Sequence, residues 1–118
     1  MTMRQRCFLC GIESEWRWEG GRSYLVDWYN CENHCGRFGI SVEVAMEMAR
    51  DRSHQVKIRE EKNKLANFAH LRRAKKKKPL LLYAKESEVF PEETQSSADL
   101  FKWDQLISLL DDNGEMTV

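Results

Sequence analysis

Four cysteines carry the clearest chemistry in this sequence. They form two short-spaced pairs, Cys7-x-x-Cys10 and Cys31-x-x-x-Cys35, and they are the only cysteines among 118 residues. Zn²⁺ takes four thiolate or imidazole ligands in a tetrahedron, and two tight turns can each present two sulfurs to one ion. A glycine follows each pair directly, and glycine adopts the backbone angles of such turns without steric cost. The spacing therefore predicts one structural zinc ion.

Three other chemistries are open to four cysteines. Two disulfides would need an oxidising compartment, but residues 1–6 are polar and lead into no apolar segment of the kind that a secretory signal has. A redox-active Cys-x-x-Cys would use one pair only. An iron–sulfur cluster, in contrast, would use all four thiolates. We therefore expect a cytoplasmic protein with zinc as the favoured metal and an iron–sulfur cluster as an alternative.

His34 adds an alternative within the zinc interpretation. It lies between Cys31 and Cys35, and a Cys31-x-x-His34 pair would restore the two-residue spacing of the first pair. Cys35 is the favoured ligand because a glycine follows it, as one follows Cys10. The sequence thus predicts a Cys₄ site, with Cys₃His ligation as the substitute.

The length and charge of the chain limit its architecture and partners. At 118 residues it is one domain, or one small domain with an appendage, and no apolar run reaches the roughly 18 residues of a membrane span. The formal net charge is zero, but residues 50–78 carry twelve Lys or Arg against three Asp or Glu, and residues 86–118 carry nine acidic residues and one lysine. The basic block favours binding of a polyanion. The acidic block can screen the basic block or bind a basic partner.

Alternating aromatic residues follow the first cysteine pair. They flank Gly20-Gly21, a pattern typical of a β-hairpin with a tight turn. Because side chains alternate between the faces of a strand, Trp16 and Trp18 share one face, as do Tyr24, Val26 and Trp28 on the partner strand. This stripe is either the core of a small zinc domain or an exposed platform for bases or a partner peptide.

The second cysteine pair leads into Arg37-Phe-Gly-Ile40, which favours a short strand. With Cys7-x-x-Cys10-Gly and Tyr24-x-Val26-Asp27, this run resembles the small zinc ribbons at the N-termini of many bacterial and phage proteins, over roughly residues 5–42. The resemblance implies a ribbon fold and one metal ion. Such ribbons often accompany effector domains of anti-phage systems, so it also implies a place in bacterial defence or phage counter-defence. The longer spacing of the second pair departs from the usual two-residue pattern.

The remaining patterns predict an α+β protein. Helical spacing indicates helices over 42–52 and 54–77, an apolar run indicates a strand over 80–84 that extends the ribbon sheet, and an amphipathic pattern indicates a helix over 98–111. We accordingly divide the chain into a zinc ribbon (1–41), a basic helical segment with a short strand (42–84), an acidic polar connection (85–97) and a C-terminal helix with its tail (98–118).

A dense run of cations lies at the C-terminal end of the second predicted helix. Its members are Arg72, Arg73, Lys75, Lys76, Lys77 and Lys78. Cations suit the C-terminal end of a helix dipole, so one interpretation is a solvated helix end. In a second interpretation the helix of residues 54–78 lies along phosphates, which rows of cations bind through counterion release. In a third, the run meets an acidic protein surface.

The predicted C-terminal helix has one apolar face. Leu100, Trp103, Ile107 and Leu110 align on it. Such a face is more often core than surface. The polar approach through residues 86–97 also leaves it open as a docking face for a partner's groove or as a dimer contact.

No catalytic motif accompanies the cysteines. The sequence has no glycine-rich phosphate loop, nucleophile elbow or His-Glu-x-x-His motif, and zinc saturated by four protein ligands has no open position for water. We therefore expect a non-enzymatic protein. The favoured hypothesis is an adaptor or inhibitor that binds another protein or a second copy of itself, because a net charge near zero is unusual for a nucleic-acid binder. The alternative is a nucleic-acid-binding zinc protein, and no membrane partner is expected.

Overall fold

The computed structural model describes residues 3–50 and 55–116. They form one mixed sheet of six strands and four helices, so the predicted α+β class is confirmed. In chain order the elements are β1 (Met3–Arg6), β2 (Glu13–Gly20), β3 (Leu25–Cys31), β4 (Gly36–Ser41), α1 (Val42–Arg50), α2 (Gln55–Ala74), β5 (Leu80–Tyr83), α3 (Glu92–Ser97), β6 (Asp99–Lys102) and α4 (Trp103–Leu109). No helix in these parts of the chain is both long and apolar enough to span a membrane.

The order of the strands in the sheet follows their order in the chain. The first four strands form an antiparallel meander, whereas β4, β5 and β6 run parallel to one another. Parallel neighbours need a crossover, because the chain must return to the same end of the sheet. α1 and α2 lie in the crossover to β5, and α3 lies in the crossover to β6. The strand predicted over 80–84 is therefore β5, and it extends the sheet of the cysteine-bearing strands as expected.

Hydrophobic side chains cover both faces of this sheet. On one face, Phe38 and Trp16 pack with buried residues of α1, α2 and α4. On the other face, Val26 and Trp28 pack with Phe90, which precedes α3. The alternation predicted for the hairpin is thereby confirmed. Burial on both faces also explains why β5, which lies inside the sheet, is a continuous apolar run.

The turn of the hairpin is longer than Gly20-Gly21 alone. β2 ends at Gly20 and β3 begins at Leu25. The Gly21 N–H donates to the Tyr24 carbonyl at 3.0 Å. The turn therefore spans residues 21–24, and the tight two-residue turn that the sequence predicts is replaced by a four-residue one.

Both helices predicted for the basic segment are present, and within the described residues only the end of the second differs from prediction. α1 begins at Val42, and the Ser41 hydroxyl accepts a hydrogen bond from the Val44 N–H at 3.4 Å, as a helix-capping serine does. α2 ends at Ala74, three residues before its predicted end. The predicted end of the first helix at 52 and the predicted start of the second at 54 lie outside the described residues.

The C-terminal segment differs from the predicted single helix over 98–111. Asp99–Lys102 forms β6, and α4 begins only at Trp103. β6 pairs with β5 in a register that sets Leu100 beside Leu81. The edge of β5 offers hydrogen-bond partners to the backbone of this segment, and such tertiary pairing outweighs a local helical pattern. A short helix, α3, also lies in the segment predicted to be a polar connection.

An ion pair ties β6 to α2. Arg72 donates to the Asp99 carboxylate. Its guanidinium lies near the rings of Phe68 and Phe101, at 5.7 and 5.4 Å from their centroids. The Arg72 side chain is only 13% exposed. Loss of its partner would therefore leave a mostly buried cation without compensation.

Replacing Asp99 with alanine is expected to lower the free energy of unfolding by about 1–3 kcal/mol, because the Arg72 guanidinium loses a charge-assisted hydrogen bond. Chemical denaturation of the full chain measures this change. The control is Glu86→Ala at an exposed position, which is expected to change the free energy of unfolding by less than about 0.5 kcal/mol. Equal stability of the two variants would contradict a structural role for the ion pair.

Candidate metal centre

Cys7 and Cys10 lie in the turn between β1 and β2. The Cys7 carbonyl accepts a hydrogen bond from the Gly11 N–H at 2.9 Å, and the Cys7 N–H donates to the Ile12 carbonyl at 2.8 Å. Gly11 has a φ of +79°, in the left-handed region that favours glycine. The glycine after the first pair thus has the role that the sequence predicts, which is to close a tight turn around two thiols.

Cys31 and Cys35 flank the turn between β3 and β4. Cys31 is the last residue of β3 and pairs in register with Gly36, the first residue of β4. Gly36 also has a positive φ, of +76°. Because β2 pairs with β3 in an antiparallel register, the tips of both hairpins lie at the same end of the sheet. The two cysteine pairs meet there.

The four thiols form a tight group. The Sγ atoms of Cys7 and Cys35 are 3.8 Å apart, and those of Cys10 and Cys31 are 3.5 Å apart. All four Sγ atoms lie within 4.8 Å of one another. A tetrahedral ion with metal–sulfur bonds of about 2.3 Å separates its ligands by about 3.8 Å, whereas a disulfide bond is about 2.05 Å long. The cysteines are free, and the group could hold one metal ion.

Burial and crowding of the thiols disfavour the ionisation of more than one of them in the absence of a cation. A hydrogen bond from the Cys35 thiol lowers the pKa of Cys7 to about 5, and the same contact raises the pKa of Cys35 above its usual range. Burial raises the pKa of Cys10 to about 11. The Cys7 thiolate therefore forms readily and opposes the ionisation of Cys10 and Cys35. A bound cation would compensate the negative charge and allow the other thiols to ionise.

The imidazole of His34 contacts α2 and does not join the thiols. Its Nε2 atom lies 3.2 Å from the Oδ1 atom of Asn67, and its ring stacks on the ring of His70 with a centroid distance of 4.3 Å. The Nδ1 atom of His70 donates to the His34 carbonyl at 2.8 Å. The ligand atoms that the fold brings together are the four sulfurs, and His34 is held by the helix.

Arg73, which the sequence assigns to a binding surface, braces the second cysteine turn. Its guanidinium donates to the Glu32 carbonyl at 2.9 Å and to the Cys31 carbonyl at 3.4 Å. Its aliphatic stem lies so close to Gly36 that a Cβ there would approach the Arg73 Cδ atom to 2.9 Å. One residue of the cationic run therefore links α2 to the second cysteine turn.

The rest of the cationic run consists of one half-buried arginine and four exposed lysines. Arg72 is occupied by its ion pair with Asp99 and by a hydrogen bond to the Lys78 carbonyl at 3.0 Å. The four lysines at 75–78 are all exposed. Within the described residues none of these lysines forms an ion pair. The lysines are therefore free to bind anions, whereas Arg72 is not.

The backbone at the end of α2 turns away from the helix at a residue in the left-handed conformation. Lys76 has a φ of +55°. The N–H groups of Lys76 and Lys77 donate to the carbonyls of Arg73 and Arg72, both at 3.0 Å. This is the Schellman arrangement, which ends many helices and usually has glycine at the left-handed position. It ends α2 at Ala74, earlier than the sequence predicts.

The residues predicted to form a C-terminal docking face lie on opposite sides of the sheet. Leu100 packs in the hydrophobic cluster beside α3. Trp103, Ile107 and Leu110 pack in the cluster beneath α1 and α2. The division follows from β6, because successive residues of a strand point to opposite faces. These four residues contribute to the core and do not form one surface.

Sequence reasoning missed Arg37. This exposed residue lines an open cavity of about 220 Å³ together with Arg73, Lys77 and Lys78. It also lines a second open cavity, of about 210 Å³, beside Trp28. Its position directly after Cys35-Gly36 was a usable signal, because the residue that follows the second cysteine turn must lie at the same end of the sheet as that turn.

Comparisons with protein families, with curated proteins and with solved structures found no match to this chain. The resemblance of residues 5–42 to bacterial and phage zinc ribbons therefore stays a prediction. The α+β fold and the four-cysteine group rest on the geometry described above.

Replacing Cys31 with serine is expected to abolish stoichiometric metal binding and to lower the melting temperature, because three sulfurs no longer complete a tetrahedral site. Elemental analysis and thermal unfolding measure the two effects. His34→Ala is the control, and we expect it to keep its metal. A Cys31→Ser variant that retains both metal and melting temperature would contradict the assignment of this site.

Proposed function

We propose that this protein is a non-enzymatic zinc-binding module that binds nucleic acid through an exposed basic surface. The basic surface consists of six cations at the end of α2 and the start of β4, namely Arg37, Arg73, Lys75, Lys76, Lys77 and Lys78. Four of them line one open cavity of about 220 Å³. The observation that carries the proposal is the exposure of the four lysines without an ion-pair partner among the described residues.

Zinc is the proposed metal because of the donor set and its spacing. Four thiolates in a tetrahedron suit zinc or an iron–sulfur cluster. The sulfurs of Cys7 and Cys35 are 3.8 Å apart, close to the separation across a single tetrahedral ion. A cluster of several irons is larger and would hold its cysteines further apart. The sulfur spacing therefore favours one zinc ion over the iron–sulfur alternative.

A structural role for this zinc supports the non-enzymatic part of the proposal. A zinc ion that activates water keeps one coordination position open, whereas four thiolates fill all positions. Three of the four cysteines are also buried, so substrates have little access to the ion. The metal would stabilise the fold and leave binding to the surface of the protein.

Within the described residues, the acidic C-terminal part forms its ion pairs away from the exposed lysines. Asp99 pairs with Arg72 and Asp112 pairs with Lys64, and neither pair involves the lysines at 75–78. A net charge of zero for the whole chain therefore coexists with a local excess of positive charge. Cations arranged in this way bind phosphates by releasing counterions, without reading the base sequence.

The protein-interaction adaptor or inhibitor is the second candidate, and the free edge of the sheet favours it. β1 is an edge strand whose four side chains are all exposed. Trp18, on the neighbouring strand β2, is 62% exposed. A partner protein, or a second copy of this chain, could add a strand at this edge and cover the indole.

Replacing the four lysines at 75–78 with alanine is expected to weaken nucleic-acid binding equally for all sequences. It should also flatten the log–log salt dependence by about three units, because each phosphate contact contributes about 0.7–0.9 to the slope. Fluorescence anisotropy titrations at several salt concentrations measure both effects. The control is Lys57→Ala with Arg59→Ala, which removes two exposed cations from the other end of α2. The salt slope should then change by much less than half of the change in the four-lysine variant.

Two outcomes would contradict this proposal. An unchanged salt slope in the four-lysine variant would exclude these residues as the phosphate contact. Absence of salt-dependent binding by the unsubstituted protein would reject the nucleic-acid function and leave the adaptor as the better candidate.

A further inference from the structure

The basic surface borders a second open cavity, which we call the Trp28 shelf. This cavity has a volume of about 210 Å³, and its lining includes Glu15, Arg17, Trp28, Asn30 and Arg37. Arg37 lines the shelf and also the cavity of the basic surface. A ligand that follows the phosphate-binding cations past Arg37 would therefore reach an aromatic side chain.

Trp28 is a fixed platform within the shelf. Its indole Nε1 atom donates to the Glu19 Oε2 atom at 2.9 Å. Its ring lies on the backbone of β4, where a Cβ at Gly39 would approach the ring to 2.9 Å. Since hydrogen bonding and packing already hold the ring, little side-chain entropy would be lost when a planar ligand stacks on it.

Polar groups suited to a nucleobase surround this platform. The Arg17 guanidinium lies over the Trp28 ring, 5.5 Å from its centroid. The Arg17 side chain is 61% exposed, so a base can stack on the guanidinium or displace it from the indole. Guanidinium planes and aromatic rings both stack on bases. The Asn30 amide donates to the Glu15 carboxylate at 3.3 Å, and both groups can hydrogen-bond to the edge of a base. The shelf thus combines a stacking surface with donors and acceptors.

We infer that the Trp28 shelf stacks an unpaired base, and that the ligand of the basic surface is therefore single-stranded nucleic acid. This inference rests on the proposed nucleic-acid function. The bases of a duplex are already stacked and paired, so a duplex offers phosphates to the lysines but no free base face to the shelf. A single strand engages both surfaces, with its backbone crossing from one to the other at Arg37.

The test uses fluorescence anisotropy of the full chain with labelled oligothymidylate and oligouridylate of about 12 nucleotides, and with a DNA duplex of equal length. Trp28→Leu is expected to weaken single-strand binding about five- to hundredfold, the range for loss of one stacked base. Duplex binding should not change. The two single strands distinguish DNA from RNA as the preferred ligand. Trp18→Leu removes an exposed indole of the same hairpin and should bind all three probes as the unsubstituted protein does.

A second measurement does not depend on the folding of a variant. Ultraviolet irradiation of the unsubstituted protein with oligothymidylate should crosslink the strand to Trp28, and mass spectrometry of the digested complex would identify the modified residue. Crosslinks at Trp28, together with the loss of single-strand affinity in Trp28→Leu, would support the inference.

Other results would overturn it in distinguishable ways. In one such result, the protein binds single strands and duplex equally well, Trp28→Leu leaves both affinities unchanged, and the four-lysine variant still binds more weakly. This result would overturn base stacking on the Trp28 shelf and retain the proposed nucleic-acid function. Crosslinks confined to the lysines at 75–78 would have the same meaning. Failure of every probe to bind would overturn both.

Discussion

The convergence of four thiols at one end of the sheet is the constraint on which this fold depends. Cys7 and Cys35 are 28 residues apart in sequence, and Cys10 and Cys31 are 21 residues apart. A single ion at their centre would close both loops, and cross-links of this length reduce the entropy of the unfolded chain. Without a cation the Cys7 thiolate opposes the ionisation of Cys10 and Cys35. A bound metal ion would therefore join the two hairpin tips and neutralise their charge.

Helix α2 connects this centre to the rest of the protein. The Lys62 ammonium lies 4.3 Å from the centroid of the Phe8 ring in the first cysteine turn. At the second turn, His70 stacks on His34 and Arg73 binds the Glu32 carbonyl. The same helix then ends at the exposed lysines. A metal ion bound by the cysteines would thus hold the basic surface in position through the contacts of α2, although the ion itself would touch nothing that binds to that surface.

The sequence predicts what depends on local pattern and misses what depends on distant partners. The spacing of the cysteines was enough to identify the sulfurs that come together, because a tight turn links the members of each pair. Leu100 fits a helical stripe, yet the edge of β5 makes it part of a strand. Arg72 looks like a surface cation until Asp99, 27 residues later, pairs with it. Arg37 reaches both cavities only because β4 pairs with β3.

Native mass spectrometry of the full chain, purified without added metal, is the most direct test of whether one zinc ion holds the two hairpin tips together. We expect one zinc per chain with a folded charge-state distribution, and a shift toward unfolded charge states when acid releases the metal. A folded chain that carries no metal, or a chain whose mass is lowered by two disulfides, would contradict the metal centre. Iron in place of zinc would contradict the identity of the ion.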